Sequence, residues 1–132
     1  MRYLLDTNIC IYLLKGMHGI DAKIKSIDID DLAVSAITIA ELLYGAYNSN
    51  SIEKNLSKVK SIEETLTVFG LDRECIELYA KIKARLRSEG QILDDFDILI
   101  AAIAIESDST IVTNNTKHFE RIEGIKLENW VS

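Results

Sequence analysis

The chain has 132 residues, of which 48% are hydrophobic and 27% are charged, and its formal net charge is −6 at pH 7. This length and composition predict one globular domain over residues 1–132, and the acidic balance excludes a simple basic protein that coats nucleic acid. The longest apolar run has eight residues, and the first acid, Asp6, follows the first leucines closely. We therefore expect neither a membrane span nor a secretory leader.

Short apolar runs alternate with helical patterns along the chain. The predicted strands are RYLLD at 2–6, LAVSAI at 32–37, TVFGLD at 67–72, STIVTNN at 109–115 and IKLENW at 125–130. The predicted helices cover 7–16, 21–30, 38–49, 51–66, 72–90 and 94–107, with one further turn at 116–122. The alternation predicts an α/β fold in which a mainly parallel sheet carries helices on both faces. Ligands of such folds bind outside the carboxyl ends of the strands.

Three acidic positions fall near these strand ends. Asp6 ends the first strand, where the simplest interpretation is a helix cap. Glu41 lies on a thin polar stripe of an otherwise apolar helix, and Gly45, one turn further, suggests a close approach of another backbone or a ligand. A solvent-facing stripe explains the same pattern equally well.

The stretch DDFDILIAAIAIES, residues 94–107, places three acids before eight apolar residues. A helix N-terminus stabilises anions, which accounts for one or two of these acids. Asp97 heads turns that are apolar on every side, so its carboxylate is expected to point towards a pocket and to need a positive partner. Because this stretch contains no lysine or arginine, a metal ion is the simplest partner.

Asp6, Glu41, Asp97 and Asn115 come from four separate segments that the fold brings to one sheet edge. Oxygen ligands without a histidine or cysteine cluster select hard cations, so the sequence indicates Mg²⁺, for which Mn²⁺ substitutes. This chemistry is typical of phosphodiester hydrolysis by in-line attack of water. Cys10 and Cys75, the only cysteines, are expected to be free thiols, buried or half-buried, in a reducing cytoplasm.

Four motifs in this order, LLDTNICIYLLK, AITIAELLYGA, DFDILIAAIA and IVTNNTKHFERIEGIKLENW, resemble the PIN-domain ribonucleases, and within them the VapC toxins of type II toxin–antitoxin pairs. The resemblance implies a three-layer α/β/α sandwich and a metal-dependent endoribonuclease. It assigns catalysis to Asp6, Glu41, Asp97 and Asn115, with the first three holding the metal. Many PIN proteins have aspartate where this chain has Asn115, so we expect one firmly bound metal and a second recruited by the substrate.

The resemblance also implies groups around these ligands and partners for the whole protein. Asn8 and Thr113 are expected to orient the acids, and Asp95 to add an outer carboxylate. The expected substrate is structured RNA, with initiator tRNA cut in the anticodon region as the candidate. The expected partners are a VapB-type antitoxin and a second copy of the chain, and Leu13, Leu14, Tyr44 and Tyr47 are candidates for lining the antitoxin groove.

Other functions remain to be weighed. A haloacid-dehalogenase-type phosphatase needs a second aspartate two residues after the first, and Asn8 stands there. The alternative from a different class is a PIN-like module that binds RNA or a partner without cleavage. The acids argue against it, because carboxylates repel phosphate unless a metal intervenes.

Overall fold

The computed structural model describes residues 1–131, and its strands form one parallel sheet. The strands are β1 (Arg2–Leu5), β2 (Leu32–Ser35), β3 (Thr67–Phe69), β4 (Ser109–Val112) and β5 (Leu127–Glu128). Their order across the sheet is β3-β2-β1-β4-β5, and every pairing between neighbours is parallel. The prediction of a mainly parallel sheet is confirmed.

Helices connect the strands and cover both faces of the sheet. They are α1 (Thr7–Lys15), α2 (Ile20–Lys25), α3 (Ala36–Tyr47), α4 (Ile52–Thr65), α5 (Arg73–Ser88), α6 (Asp95–Glu106) and α7 (Thr116–Phe119). A 3-10 turn at Ile29–Asp31 lies between α2 and β2. Within the described chain, no helix combines the length and apolarity that a membrane crossing requires.

Several predicted elements were too long: the strands predicted at 67–72, 109–115 and 125–130 cover only Thr67–Phe69, Ser109–Val112 and Leu127–Glu128. Two further elements end at an identifiable side chain. The helix predicted at 21–30 ends at Lys25, and the carboxylate of Asp28 accepts a hydrogen bond from the Asp30 N–H (3.0 Å) and starts the 3-10 turn instead. The strand predicted at 32–37 ends at Ser35, whose hydroxyl accepts from the Thr38 N–H (3.0 Å) and caps α3. In both cases a short polar side chain bonds to the backbone and ends the regular element.

Alternate strand residues pack against opposite faces. Leu5 and Val112 belong to the core under α1, α3 and α4, whereas Leu4 and Ile111 belong to the core under α5 and α6. This alternation follows from the two-residue repeat of a strand and gives three layers, helices, sheet and helices. The predicted α/β/α sandwich is confirmed. Cys10 and Cys75 are buried and unpaired, one in each core, as expected.

The position of a ligand site follows from the strand order. After β3 the chain crosses back over β2 and β1 to place β4 on the other side of β1. This reversal makes the carboxyl ends of β1 and β4 the switch point of the sheet, where α/β proteins open a crevice. Asp6 follows β1 directly, and Thr113 follows β4.

Helix α6 explains part of the acidic run before it. Asp94 is the N-cap and accepts from the Phe96 N–H (2.8 Å), so one acid satisfies the exposed helix terminus. The apolar residues behind it are almost fully buried, from Ile98 at 1% exposure to Ala104 at 0%, except the half-buried Leu99. Asp97 lies in the first turn, between the capped terminus and this buried segment.

Candidate active site

Asp6 is a buried acid that does more than cap a helix. Its Oδ1 accepts from the Ile9 N–H at 2.9 Å, its backbone N–H donates to the Val112 carbonyl at 3.1 Å, and its side chain is bonded by Thr113. The pKa of Asp6 is raised to about 6, mainly by burial and less by the charges of Asp97 and Glu41, while these hydrogen bonds lower it. The charges of two acids on other elements therefore reach Asp6.

Glu41 is held by the threonine that follows Asp6. The hydroxyl of Thr7 donates to Oε1 of Glu41 at 2.7 Å, and the Thr7 and Thr38 hydroxyl oxygens are 3.2 Å apart. Thr38, one turn before Glu41 on α3, is fully buried. The polar stripe on α3 thus begins inside the protein, and the solvent-facing interpretation fails for the part that includes Thr38.

Asp97 is a half-buried acid that faces the same region. Burial raises its pKa, as do the charges of Asp94 and Glu41, whereas His118 lowers it. Nε2 of His118 lies 3.9 Å from Oδ2 of Asp97. Asp97 is therefore half-buried and lies within electrostatic reach of Asp94, Glu41 and His118.

The turn after β4 brings the fourth candidate to the same edge. Thr113 is fully buried, and its Oγ1 accepts from the Asn115 N–H at 3.0 Å. Nδ2 of Asn115 lies 2.8 Å from Nδ1 of His118. Thr113 thus contacts both Asp6 and Asn115.

Two predicted outer groups are placed differently. Asn8 is exposed on α1, and over residues 1–131 its side chain makes no hydrogen bond to the acids. Oδ1 of Asp95 bonds to Lys83 Nζ (2.8 Å) and Tyr79 Oη (2.9 Å) on α5, and these contacts lower its pKa. Asp94, rather than Asp95, is the neighbouring acid whose charge reaches Asp97. The contacts of Asn8 and Asp95 therefore give no support to their predicted roles.

Sequence reasoning missed two contributors. Thr7 was not among the predicted site residues, although its hydroxyl fixes Glu41. His118 was not among them either, but its ring is only 32% exposed and stands between Asn115 and Asp97. The available signal was the three-residue spacing between Asn115 and His118. Because such a spacing spans one helical turn, the two side chains can meet.

The donor chemistry of this site fits a hard divalent cation. Burial raises the pKa values of Asp6 and Asp97, and neighbouring acids raise them as well, so a positive partner would stabilise the charged carboxylates. Among residues 1–131, however, no three acids, histidines or cysteines are close enough to form a ready-made metal cage. Mg²⁺ tolerates this spacing, since it keeps several waters and uses few direct protein ligands.

A groove of about 340 Å³ adjoins the site between α1, α3 and α4. Glu41 lies at its wall, and Leu14, Leu42, Gly45 and Val59 contribute apolar surface. Of the residues expected to line an antitoxin groove, only Leu14 does so. Leu13 packs against the core, and Tyr44 and Tyr47 are exposed on α3 outside the groove.

Comparison with known proteins places this architecture in a family. The family model of the PIN domain matches residues 3–125. The chain is 37% identical to ribonuclease VapC2 of Rickettsia felis over 134 residues, which covers 98% of each chain. It is 32% identical to the tRNA(fMet)-specific endonuclease VapC of Shigella flexneri over 130 residues, again 98% of each. The VapBC complex of Salmonella typhimurium bound to DNA contains a chain that superposes with a TM-score of 0.92 at 34% identity, covering 98% of each chain.

The fold is that of a PIN-domain nuclease, and the chain belongs to the PIN family. Within it the chain groups with the VapC ribonucleases, the toxins of toxin–antitoxin pairs. The prediction of a ribonuclease is confirmed at the level of the family, in preference to a non-cleaving binding module. PIN-domain VapC nucleases are generally metal-dependent.

Proposed function

We propose that this chain hydrolyses phosphodiester bonds of structured RNA with Mg²⁺, for which Mn²⁺ substitutes, held by Asp6, Glu41 and Asp97. One observation carries the proposal. The pKa of the buried Asp6 is raised to about 6, in part by the charges of Asp97 and Glu41, although these acids come from distant segments. Carboxylates gathered in this way, with a partly exposed histidine as the basic group beside Asp97, supply a binding site for an external cation.

Each side chain has a separate task in the proposed reaction. The bound cation supplies the positive charge that attracts the phosphodiester and activates water. Thr113 and the Ile9 N–H hold the Asp6 carboxylate, and the Thr7 hydroxyl holds Glu41, so the acids keep their orientation during cleavage. Water attacks the phosphorus, and the bond between phosphorus and the 3′-oxygen breaks. The products carry a 5′-phosphate and a 3′-hydroxyl.

Cleavage by a purified enzyme tests the proposal. Wild-type protein is expected to cut RNA with Mg²⁺ or Mn²⁺ and to stop when EDTA removes the metal. Asp6→Ala is expected to lose cleavage while keeping its fold, as judged by circular dichroism. Cleavage that continues in EDTA would rule out the metal role.

The proposed substrate is initiator tRNA, cut in the anticodon region. Support comes from the Shigella flexneri relative, which is named a tRNA(fMet)-specific endonuclease and matches over 98% of the chain. Incubation with a complete tRNA pool, followed by sequencing of new 5′-phosphate ends, is expected to find cuts concentrated in the anticodon loop of that tRNA. Equal cutting of elongator tRNAs would refute the substrate but not the nuclease.

The proposed partners are a VapB-type antitoxin and a second copy of the chain, in the cytoplasm. The Rickettsia felis and Salmonella typhimurium structures are VapBC complexes whose toxin chains match at TM-scores of 0.91 and 0.92. We place the antitoxin in the groove beside Glu41, where a basic side chain of the antitoxin would meet the acids.

Two glycines allow a matched test of this groove. A Cβ at Gly45 or at Gly70 meets no atom within 4 Å, so both positions accept a side chain, but only Gly45 lines the groove. Gly45→Leu is expected to weaken antitoxin binding by about tenfold or more, because filling an apolar pocket excludes its ligand, whereas Gly70→Leu is expected to leave binding unchanged. Isothermal titration calorimetry measures both, and light scattering gives the oligomeric state.

A further inference from the structure

The imidazole of His118 joins two candidate site residues from different elements. Its Nδ1 lies 2.8 Å from Nδ2 of Asn115, and its Nε2 lies 3.9 Å from Oδ2 of Asp97. The ring is 32% exposed, and the next residue, Phe119, is buried in the core at 2% exposure and anchors the short helix α7. His118 therefore stands between the turn after β4 and the first turn of α6.

The side chain of Asn115 does not cap its helix and contacts the imidazole ring of His118 instead. Asn115 is the N-cap of α7, where the Oδ1 of an asparagine ordinarily accepts from a backbone N–H. It makes no such bond, and the His118 N–H donates instead to the Asn115 backbone carbonyl at 3.1 Å. Within residues 1–131 the amide nitrogen of Asn115 contacts His118, and its Oδ1 makes no hydrogen bond. The atom that would cap the helix is left for another partner.

A single neutral form of the ring suits both of its neighbours. The Nδ2 group of Asn115 only donates, so the Nδ1 that faces it accepts and carries no proton. A neutral imidazole then carries its proton on Nε2, the nitrogen that faces the carboxylate of Asp97. If the amide were reversed, its NH₂ group would take the place of Oδ1 on the side away from His118. Such a group neither coordinates a hard cation nor accepts hydrogen bonds from its hydration waters.

We propose that His118 is a positioning residue that fixes the amide of Asn115 with its oxygen towards the candidate metal site. The inference rests on the proposed function, because a cation or its water shell is what requires an oxygen there. An aspartate would present oxygen in either orientation, whereas the asparagine of this chain has one oxygen and one nitrogen. Because the imidazole of His118 selects one orientation of the amide, the uncharged Asn115 can present an oxygen at this position.

The protonation of the ring is the first test, and it does not depend on activity. The full-length protein, labelled with ¹⁵N-histidine, is examined at pH 8 by long-range ¹H–¹⁵N NMR, and the His118 signals are assigned by their loss in His118→Gln. We expect a protonated Nε2 and an unprotonated Nδ1. A proton on Nδ1 would mean that the amide is reversed and would overturn the proposal.

Binding of Mn²⁺ alone, followed by electron paramagnetic resonance, is the second test. His118→Leu is expected to raise the Kd of Mn²⁺ by about tenfold, the usual effect of removing a group that orients a ligand. His118→Asn, which keeps an acceptor near the position of Nδ1, is expected to recover most of this loss. Lys117→Gln, an exposed change in the same helical turn, is the control and is expected to bind as wild type. A His118→Leu protein that folds and binds Mn²⁺ like wild type would overturn the proposal.

A double-mutant cycle shows whether the effect passes through the amide. In an Asn115→Asp background both side-chain ends are oxygen, so His118→Leu is expected to cost about threefold or less instead of tenfold. An undiminished tenfold loss would show that His118 acts by another route, which also overturns the proposal. If wild type binds no Mn²⁺, the proposed function fails, and the NMR result alone then decides the orientation of the amide.

Discussion

Asp95 and Asp97 lie two residues apart in the first turn of α6 and have opposite environments. Asp95 is exposed and paired with Lys83 on α5, and this partner lowers its pKa. Asp97 is half-buried and faces Asp94, Glu41 and His118, and burial raises its pKa. The chain therefore supplies a cation for one acid and leaves the other among acids. We infer that the α5–α6 contact stabilises structure, whereas the region around Asp97 is prepared for a cation from outside.

The largest expected difference between the two acids is in catalysis. Asp97→Asn is expected to reduce RNA cleavage by about 10²–10³-fold, the loss usual when a preorganised charged group at a reacting centre is removed. Asp95→Asn keeps the same size and loses the same charge, so it is the matched control and should stay close to wild type. Single-turnover cleavage with saturating Mn²⁺ measures both. A similar loss in the two variants would contradict the distinction.

A smaller effect is expected on the pH dependence of metal binding. Protons compete with the metal at Asp6, whose pKa is raised to about 6 by burial. Affinity for Mn²⁺ should therefore be constant above the pKa of Asp6 and fall by about tenfold for each pH unit below it. Asp95→Asn should leave the midpoint unchanged, because its carboxylate is paired with Lys83. A midpoint near pH 4 would show that Asp6 does not limit binding.

Stability without metal should change in the direction opposite to activity. Because the pKa of Asp6 is higher in the folded protein than in the unfolded chain, its ionisation destabilises the fold. This cost is absent below about pH 4, grows between pH 4 and 6 and is complete above pH 6. Asp6→Asn keeps an acceptor for the Ile9 N–H and should raise the free energy of unfolding by about 2 kcal/mol at pH 8.

Thermal unfolding in EDTA at pH 8 and pH 4 checks this prediction. The increase in the free energy of unfolding of Asp6→Asn should be present at pH 8. It should disappear at pH 4, where residue 6 is neutral in both the folded wild type and the variant. Adding Mn²⁺ should then stabilise wild type more than the variant. Destabilisation by Asp6→Asn at pH 8 would indicate that the ionised carboxylate of Asp6 does not destabilise the fold.

The smallest expected effect concerns the ion pair between Lys83 on α5 and Asp95 on α6. Lys83→Met removes the cation beside Asp95, so the pKa of Asp95, which Lys83 lowers, should rise towards its ordinary value. The Kd of Mn²⁺ should not change, since the pair lies outside the acid site. Carboxyl chemical shifts followed by NMR give the pKa, and a change in metal affinity would show that the two regions are coupled.

The order of the elements could be predicted because each is encoded by local pattern. The eight-residue apolar run of α6, the short apolar runs of the strands and Gly16 after α1 are short-range signals. The boundaries were less predictable, because at Asp28 and Ser35 one side-chain hydrogen bond ends an element that periodicity would continue. The neighbourhood of Asp6, Glu41 and Asp97 followed from the rule that strand ends of a parallel sheet share one edge.

Sequence alone determined the α/β class and the sheet edge near which the candidate acids lie. The tertiary structure decided which acids are partnered. Asp95 turns to Lys83 and Asp97 to the acids, although both occupy the same helical turn. Contacts with Lys83 and His118 depend on how α5 and α7 pack beside α6. These distances are set by packing between segments that are far apart in the chain. The local sequence around a residue therefore does not predict them.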